Sequence, residues 1–144
     1  MDRLKWVGVT ALALVITASG IALAQSFEDQ VADQIAAIHY EIAADFDYAS
    51  DMVIGEIEAG DSDGFPMSVT GDEQYIIVAV CDADCGDVDL VLYDAEDDEA
   101  AADIEYDDYP VLDFQGEGDY WVEVVMSDCA TATCLYAVQV FVLE

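Results

Sequence analysis

Between residues 26 and 49, apolar side chains recur at intervals of three and four: Phe27, Val31, Ile35, Ile38, Ile42 and Phe46. That spacing lines them along one face of an α-helix. Ser26 is placed to cap its start, and Glu28 and Asp29 fall in the first turn, where negative charge suits the helix dipole. From residue 52 the texture changes to short runs rich in Val, Ile, Tyr and Phe, separated by clusters of Gly, Asp and Ser. These predict strands over 52–57, 65–69, 74–80, 88–93, 111–114, 120–126 and 135–143. Gly60-Asp61-Ser62-Asp63-Gly64, Gly71-Asp72-Glu73 and Gly116-Glu117-Gly118 are the turn signals between them. The runs over 74–80 and 88–93 are apolar on nearly every residue, as expected of strands buried on both faces. Over 120–126 the pattern alternates instead, with Tyr120, Val122, Val124 and Met126 on one face and Glu123 on the other. The stretch 94–108 is an acidic connection, and Pro110 marks the edge of the strand that follows. The pattern predicts a mainly β fold: an antiparallel β-sandwich of about seven strands over 51–144, preceded by an amphipathic helix over 25–50. The helical stripe must pack either on its own sandwich or against another copy of the chain.

The first residues follow a different logic. Arg3 and Lys5 precede an apolar run from Trp6 to Ile16, Ser19-Gly20 interrupts it, and Ala22-Leu23-Ala24 offers small residues at both cleavage positions. This predicts a secretory signal peptide over 1–24; the alternative is an uncleaved membrane anchor, since Trp6–Ala24 is nearly long enough to span a bilayer. Charge then becomes the dominant feature of the remainder. The chain carries 2 basic and 33 acidic side chains, a formal net charge of −31. Both basic residues lie in the leader, together with one acid, Asp2. A processed chain would therefore hold no lysine or arginine, and no Lys/Arg salt bridge. Such a surface repels nucleic acid and anionic membranes, and leaves divalent cations, a salty habitat or a basic partner as its electrostatic counterparts. A hydrophobic content of 56% argues for a packed core despite the charge.

Four cysteines in an exported chain favour disulfides over thiols. They allow three pairings. Local pairs, Cys81–Cys85 and Cys129–Cys134, would each staple a loop at a strand end. A zinc site built from all four cysteines is the alternative, although C-x3-C and C-x4-C differ from paired C-x2-C knuckles. The loop between Cys81 and Asp94 concentrates the rest of the chemistry. Asp82, Asp84, Asp87 and Asp89 supply the several oxygens that a calcium ion needs, if the loop turns them to one point. The competing reading is that they cap turns and satisfy loop amides. Asp94, Glu96, Asp98 and Glu105 fall at ligand positions of a calcium-binding EF-hand loop, but Glu99 stands where glycine is required, so the match reads as chance. Asp61 and Asp63 read as turn residues first.

The order of these features resembles a known family. An apolar strand runs into C-D-x-D-C-x-D-x-D-L, followed by Leu92-Tyr93-Asp94, Tyr109-Pro110, Gly118-Asp119-Tyr120, Val124-x-Met126 and Cys129…Cys134-Leu135-Tyr136. Over residues 55–143 this is similar to the bacterial pre-peptidase C-terminal domain, in its cysteine-containing secreted branch. The resemblance implies a jelly-roll-like sandwich, an accessory rather than a catalytic role, and calcium binding through Asp87 and Asp89.

Catalysis finds little support in the sequence: carboxylates are too abundant for a glycosidase-like pair to stand out, and an acid-rich enzyme ranks as the last reading. A nucleophile needs a positioned base, and beyond the leader there is one histidine, His39, and no lysine. His39 lies one position off the apolar stripe and reads as a half-exposed helix residue. The expectation is a secreted, non-enzymatic, calcium-stabilised binding module with a protein or polysaccharide partner. Its rival is a structural subunit of an extracellular polymer or envelope layer, assembled through the helix and exposed strand edges.

Overall fold

The computed structural model describes residues 26–143, so the leader expected over 1–24 lies outside the described residues. One helix, α1 (Ser26–Ile42), is followed by seven strands: β1 (Asp47–Tyr48), β2 (Val53–Glu58), β3 (Ser62–Cys81), β4 (Cys85–Tyr93), β5 (Glu99–Asp103), β6 (Val111–Cys129) and β7 (Thr133–Leu143). All pairings are antiparallel, in the order β1-β7-β3-β6-β4-β5, with β2 also on β7.

The strand number agrees with the sequence reading but the strands differ. The runs expected as separate strands over 65–69 and 74–80 are two halves of β3, and those over 111–114 and 120–126 are two halves of β6. The turn signals between them are kinks in a continuing ladder. Pairing runs from Ser62↔Val125 to Val69↔Gly118, shifts register, and resumes from Glu73↔Gly116 to Val78↔Val111. Gly71 (φ 79°) and Gly118 (φ 112°) adopt backbone angles that side-chain-bearing residues avoid, which lets both strands bend without ending. The first half of β3 stays with β6, β4 and β5, while the second half joins β7, β2 and β1. One sheet thus serves both layers of a sandwich-like fold.

The inward face is apolar throughout: Tyr75, Ile77 and Ala79 on β3, Val88, Leu90 and Leu92 on β4, Val122, Val124 and Met126 on β6, and Tyr136, Val138 and Val140 on β7. The phenol of Tyr136 crosses between layers to donate to Asp63 Oδ2 (2.9 Å). Burial, and then that bond, push it up to about 12. Gly55, opposite Tyr136 on β2, leaves room for the ring: a Cβ there would lie 2.6 Å from it.

The helix covers the outer face of the β3/β7 layer. Val31 and Ile35 are buried against Ile76, Val78, Val80, Ala137 and Phe141, with Phe27, Ile38 and Phe46 packed around them. The stripe is therefore consumed within the chain, apart from exposed Ile42, and is not free to drive assembly. This also explains why β3 is apolar on both faces. Helix α1 is shorter than the sequence reading, which extended it to 49. After Ile42 the backbone turns through Phe46 N–H to Ala43 O (2.9 Å), and residues 47–49 pair with the edge of β7 instead. β2 pairs with β7 only as far as Val138. The remaining β7 edge offers hydrogen bonds that a helix would forgo. His39 sits at this junction, half-buried as expected. Its Nε2–H donates to Phe46 O (2.7 Å), and its ring stacks on Phe141 at 5.1 Å.

The acidic stretch 94–108 is not wholly a connection. Asp94 Oδ1 accepts the amides of Glu96 and Asp98 (both 3.0 Å), closing a turn that launches β5. β5 then separates Glu105 from the turn, so no EF-hand loop forms.

Candidate functional site

Both disulfides are local. Cys81–Cys85 and Cys129–Cys134 have Cα separations of 5.9 and 6.0 Å, and no described cysteine is free, so the zinc alternative falls. Each bridge closes the crossing from one layer to the other, β3 to β4 and β6 to β7. Cys85 and Cys129 are cross-strand partners, so the two crossings lie side by side.

Asp82 and Asp84 hold these crossings together. Asp82 Oδ2 accepts the Leu135 amide (2.9 Å), Asp82 Oδ1 accepts the Asp84 amide (3.2 Å), and Asp84 O accepts the Ala130 amide (2.8 Å). Both carboxylate oxygens of Asp82 are thus committed to backbone amides, as loop caps are.

Asp87 and Asp89 belong to a different neighbourhood. They project away from the inward face formed by Val88, Leu90 and Leu92. Asp87 is 8% exposed. Its Oδ1 accepts the Asp107 amide (3.2 Å), while Val88 N–H donates to Asp107 O (3.0 Å), so the loop after β5 is laid along the start of β4. Asp128 is the cross-strand partner of Asp87, and Tyr106 Oη–H donates to Asp128 Oδ2 (2.8 Å). Ser127 Oγ–H donates to Asp89 Oδ2. The other oxygen of Asp89, Oδ1, is buried and has no hydrogen-bond partner among the described residues. A buried carboxylate oxygen in that state carries a desolvation cost with nothing to offset it.

The electrostatics agree with the geometry. Burial raises the Asp87 carboxyl above its ordinary 3.8, and the neighbouring charges of Asp89, Asp107 and Asp128 push the same way against the Asp107 amide, which lowers it. No lysine or arginine exists in residues 26–143 to relieve the crowding. Asp107, Asp128 and Ser127 were not legible as partners of Asp87, because the loop and the β4/β6 register bring them there from 20 to 41 positions away. The one hint is that Asp128 directly precedes a cysteine, at the strand end where the two crossings meet. Among the described residues, no three His, Cys, Asp or Glu side chains converge as a metal-holding group.

A pH prediction follows from the raised Asp87 carboxyl. A group that binds its proton more tightly in the folded state adds stability as pH falls from above its folded pKa toward its unfolded value. In EDTA, stability is expected to rise as pH is lowered from 7 toward about 4, with a shallower rise in Asp87→Asn. Urea titrations at fixed ionic strength check this; identical slopes for the two proteins would contradict it.

No family model and no curated protein sequence matches this chain. Among solved structures, the pre-peptidase C-terminal domain of a collagenase from Bacillus anthracis aligns over 62% of this chain and 87% of its own, at 20% identity and a TM-score of 0.52. A periplasmic inhibitor of g-type lysozyme from Aeromonas hydrophila aligns over 66% and 87%, at 8% identity and a TM-score of 0.48. A Bacillus endospore-appendage protein, described as forming disulfide-linked pili, aligns over 68% and 89%, at 13% identity and a TM-score of 0.41. At these identities the likeness is one of fold: residues 26–143 contain the sandwich-like fold of a pre-peptidase C-terminal domain, with the helix added on one face.

Proposed function

We propose that this protein is a secreted, non-enzymatic binding module whose fold is stabilised by calcium at the Asp87–Asp89 patch. The observation that carries the cation reading is the buried, unpartnered Asp89 Oδ1 beside the crowded carboxyl of Asp87. Asp87, Asp89 and Asp128 are the residues that would hold the ion, after side-chain rotation, with backbone carbonyls and water completing an oxygen shell. The ion would supply positive charge where residues 26–143 have no lysine or arginine. Asp82 and Asp84 lie outside this patch: both oxygens of Asp82 accept loop amides and Asp84 is exposed. Export is supported by the two disulfides, which persist in oxidising compartments. The non-enzymatic reading rests on the absence of a free activated nucleophile among the described residues. His39 is engaged by Phe46 and Phe141, and all four cysteines are bridged. No helix among the described residues is long and apolar enough to cross a membrane.

The test is thermal melting in EDTA, calcium, magnesium and sodium chloride at matched ionic strength. Calcium at about 100 times its dissociation constant is expected to stabilise by about 2.7 kcal/mol, and magnesium by much less, because it tolerates a flexible many-oxygen site poorly. The Asp87→Asn, Asp89→Asn variant is expected to lose the calcium response and to be at least as stable as the parent in EDTA. Equal melting in calcium and magnesium, unchanged by the double substitution, would leave only charge screening.

A further inference from the structure

A second feature lies apart from the Asp87–Asp89 patch. Gln34, Ala37 and Glu41, beside the stripe that α1 buries, and Ile38, at its edge, recur at helical spacing and face the loop between β5 and β6. Together with Val80, Cys81, Asp108 and Tyr109 they enclose a groove of about 290 Å³. Its apolar lining is buried Val80 and the half-cystine Cys81, half-buried Ile38 and exposed Ala37. Its rim carries two carboxylates, Glu41 and Asp108, and the ring of Tyr109, which is 57% exposed. Neither rim carboxylate has a hydrogen-bond partner among the described residues, whereas Asp82, Asp87, Asp103 and Asp107 nearby are all engaged.

The loop that presents Asp108 and Tyr109 is held in place. Asp103 Oδ1 accepts the Glu105 amide and Oδ2 the Val111 amide (3.2 and 2.9 Å). Asp107 Oδ1 accepts the Tyr109 amide (3.1 Å), Ala79 N–H donates to Pro110 O (3.2 Å), and Pro110 is fully buried. A groove whose walls are a packed helix and a fastened loop loses little freedom on binding.

We propose that this groove receives an arginine side chain from a protein partner. Charge complementarity names the occupant. An apolar lining below two free carboxylates and an exposed aromatic face matches a side chain with an aliphatic stem and a planar cationic head. The stem lies along Ile38 and Val80, and the guanidinium stacks on Tyr109 while donating to Glu41 and Asp108. Residues 26–143 contain no lysine or arginine, and the chain's only two basic residues, Arg3 and Lys5, lie in the expected leader, so the partner proposed is a different, basic protein. Exposed Ile104 and Tyr106 on the same loop extend the surface with the apolar and aromatic contact such an interface uses. The inference holds whether or not a cation occupies the Asp87–Asp89 patch.

The test uses isotopically labelled protein titrated with N-acetyl-arginine methylamide and with its citrulline counterpart, which keeps the shape and loses the charge. Chemical-shift changes are expected at residues 34–41, 80–81 and 108–109, saturating for arginine. Citrulline is expected to bind at least about tenfold more weakly, and the Glu41→Gln, Asp108→Asn variant to weaken arginine binding by a similar factor. The variant's unperturbed spectrum elsewhere serves as the folding control, and EDTA throughout keeps the result independent of the calcium reading. Shifts scattered over all acidic surfaces and unchanged in the variant, or equal binding of citrulline, would overturn the proposal.

Discussion

Replacing Phe141 with alanine is expected to destabilise the protein by about 3–5 kcal/mol, the largest effect of any single substitution considered. Phe141 is fully buried on the outer face of β7, where the helix seats. Its ring is the common surface for two others: His39 stacks on it at 5.1 Å and Tyr48 meets it at 5.0 Å and 55°. Removing the ring empties a cavity that the neighbours cannot fill without giving up other contacts. His39 is held by its bond to Phe46 O, and Tyr48 by the pairing of β1 with β7. The loss should also be uneven across the molecule. Amide hydrogen exchange is expected to accelerate first in α1 and β1, and least in β4 and the second half of β6, which belong to the inward core. A urea titration measures the total. A loss under about 1 kcal/mol, or exchange that accelerates uniformly, would show that the helix is not seated on Phe141.

Removing either disulfide is expected to cost about 2 kcal/mol in the chain-entropy account, and removing both about 3.5 kcal/mol. The bridges span sequence separations of 4 and 5, so neither constrains the unfolded chain as a long loop would. The two losses are not expected to be independent. Asp82 N–H donates to Leu135 O (3.1 Å), Leu135 N–H to Asp82 Oδ2 (2.9 Å) and Ala130 N–H to Asp84 O (2.8 Å), so each bridged crossing is bonded to the other. Opening the first crossing loosens the second, whose bridge then has less native order to protect. A cycle of Cys81→Ala, Cys85→Ala against Cys129→Ala, Cys134→Ala should therefore fall short of additivity by about 0.5 kcal/mol or more. Strict additivity would separate the two crossings energetically, and a denaturation midpoint insensitive to reductant would contradict the stability assigned to the bridges.

Local pattern was a sound guide to what each segment is, and a poor guide to where one segment ends. The helical stripe of Val31 and Ile35, the double-sided apolar run of β3, and the alternation of β6 were all written in side-chain spacing, because burial acts on each residue through its own face. The same spacing could not show that Gly71 and Gly118 bend strands rather than end them. A glycine at positive φ serves a turn or a kink equally, and the choice depends on the partner strand's hydrogen bonds. Nor could it show that residues 47–49 leave the helix, since their alternative is an open edge of β7 that exists only after folding. β5 was hidden for a related reason: Glu99–Asp103 is weak strand material that forms because β4 offers it an edge.

The cysteine-bracketed loop marks the same divide. Sequence alone determined that two cysteines and clustered carboxylates lie there, and that residues 26–143 hold no lysine or arginine to neutralise them. Only the tertiary structure decided that Asp82 and Asp84 tie two crossings together while Asp87 and Asp89 face Asp107, Asp128 and Ser127. It likewise decided that Glu41 and Asp108 flank one groove. A carboxylate's role is set by which donors, charges and apolar surface surround it, and those neighbours come from strand register and helix seating, which single-residue spacing does not encode.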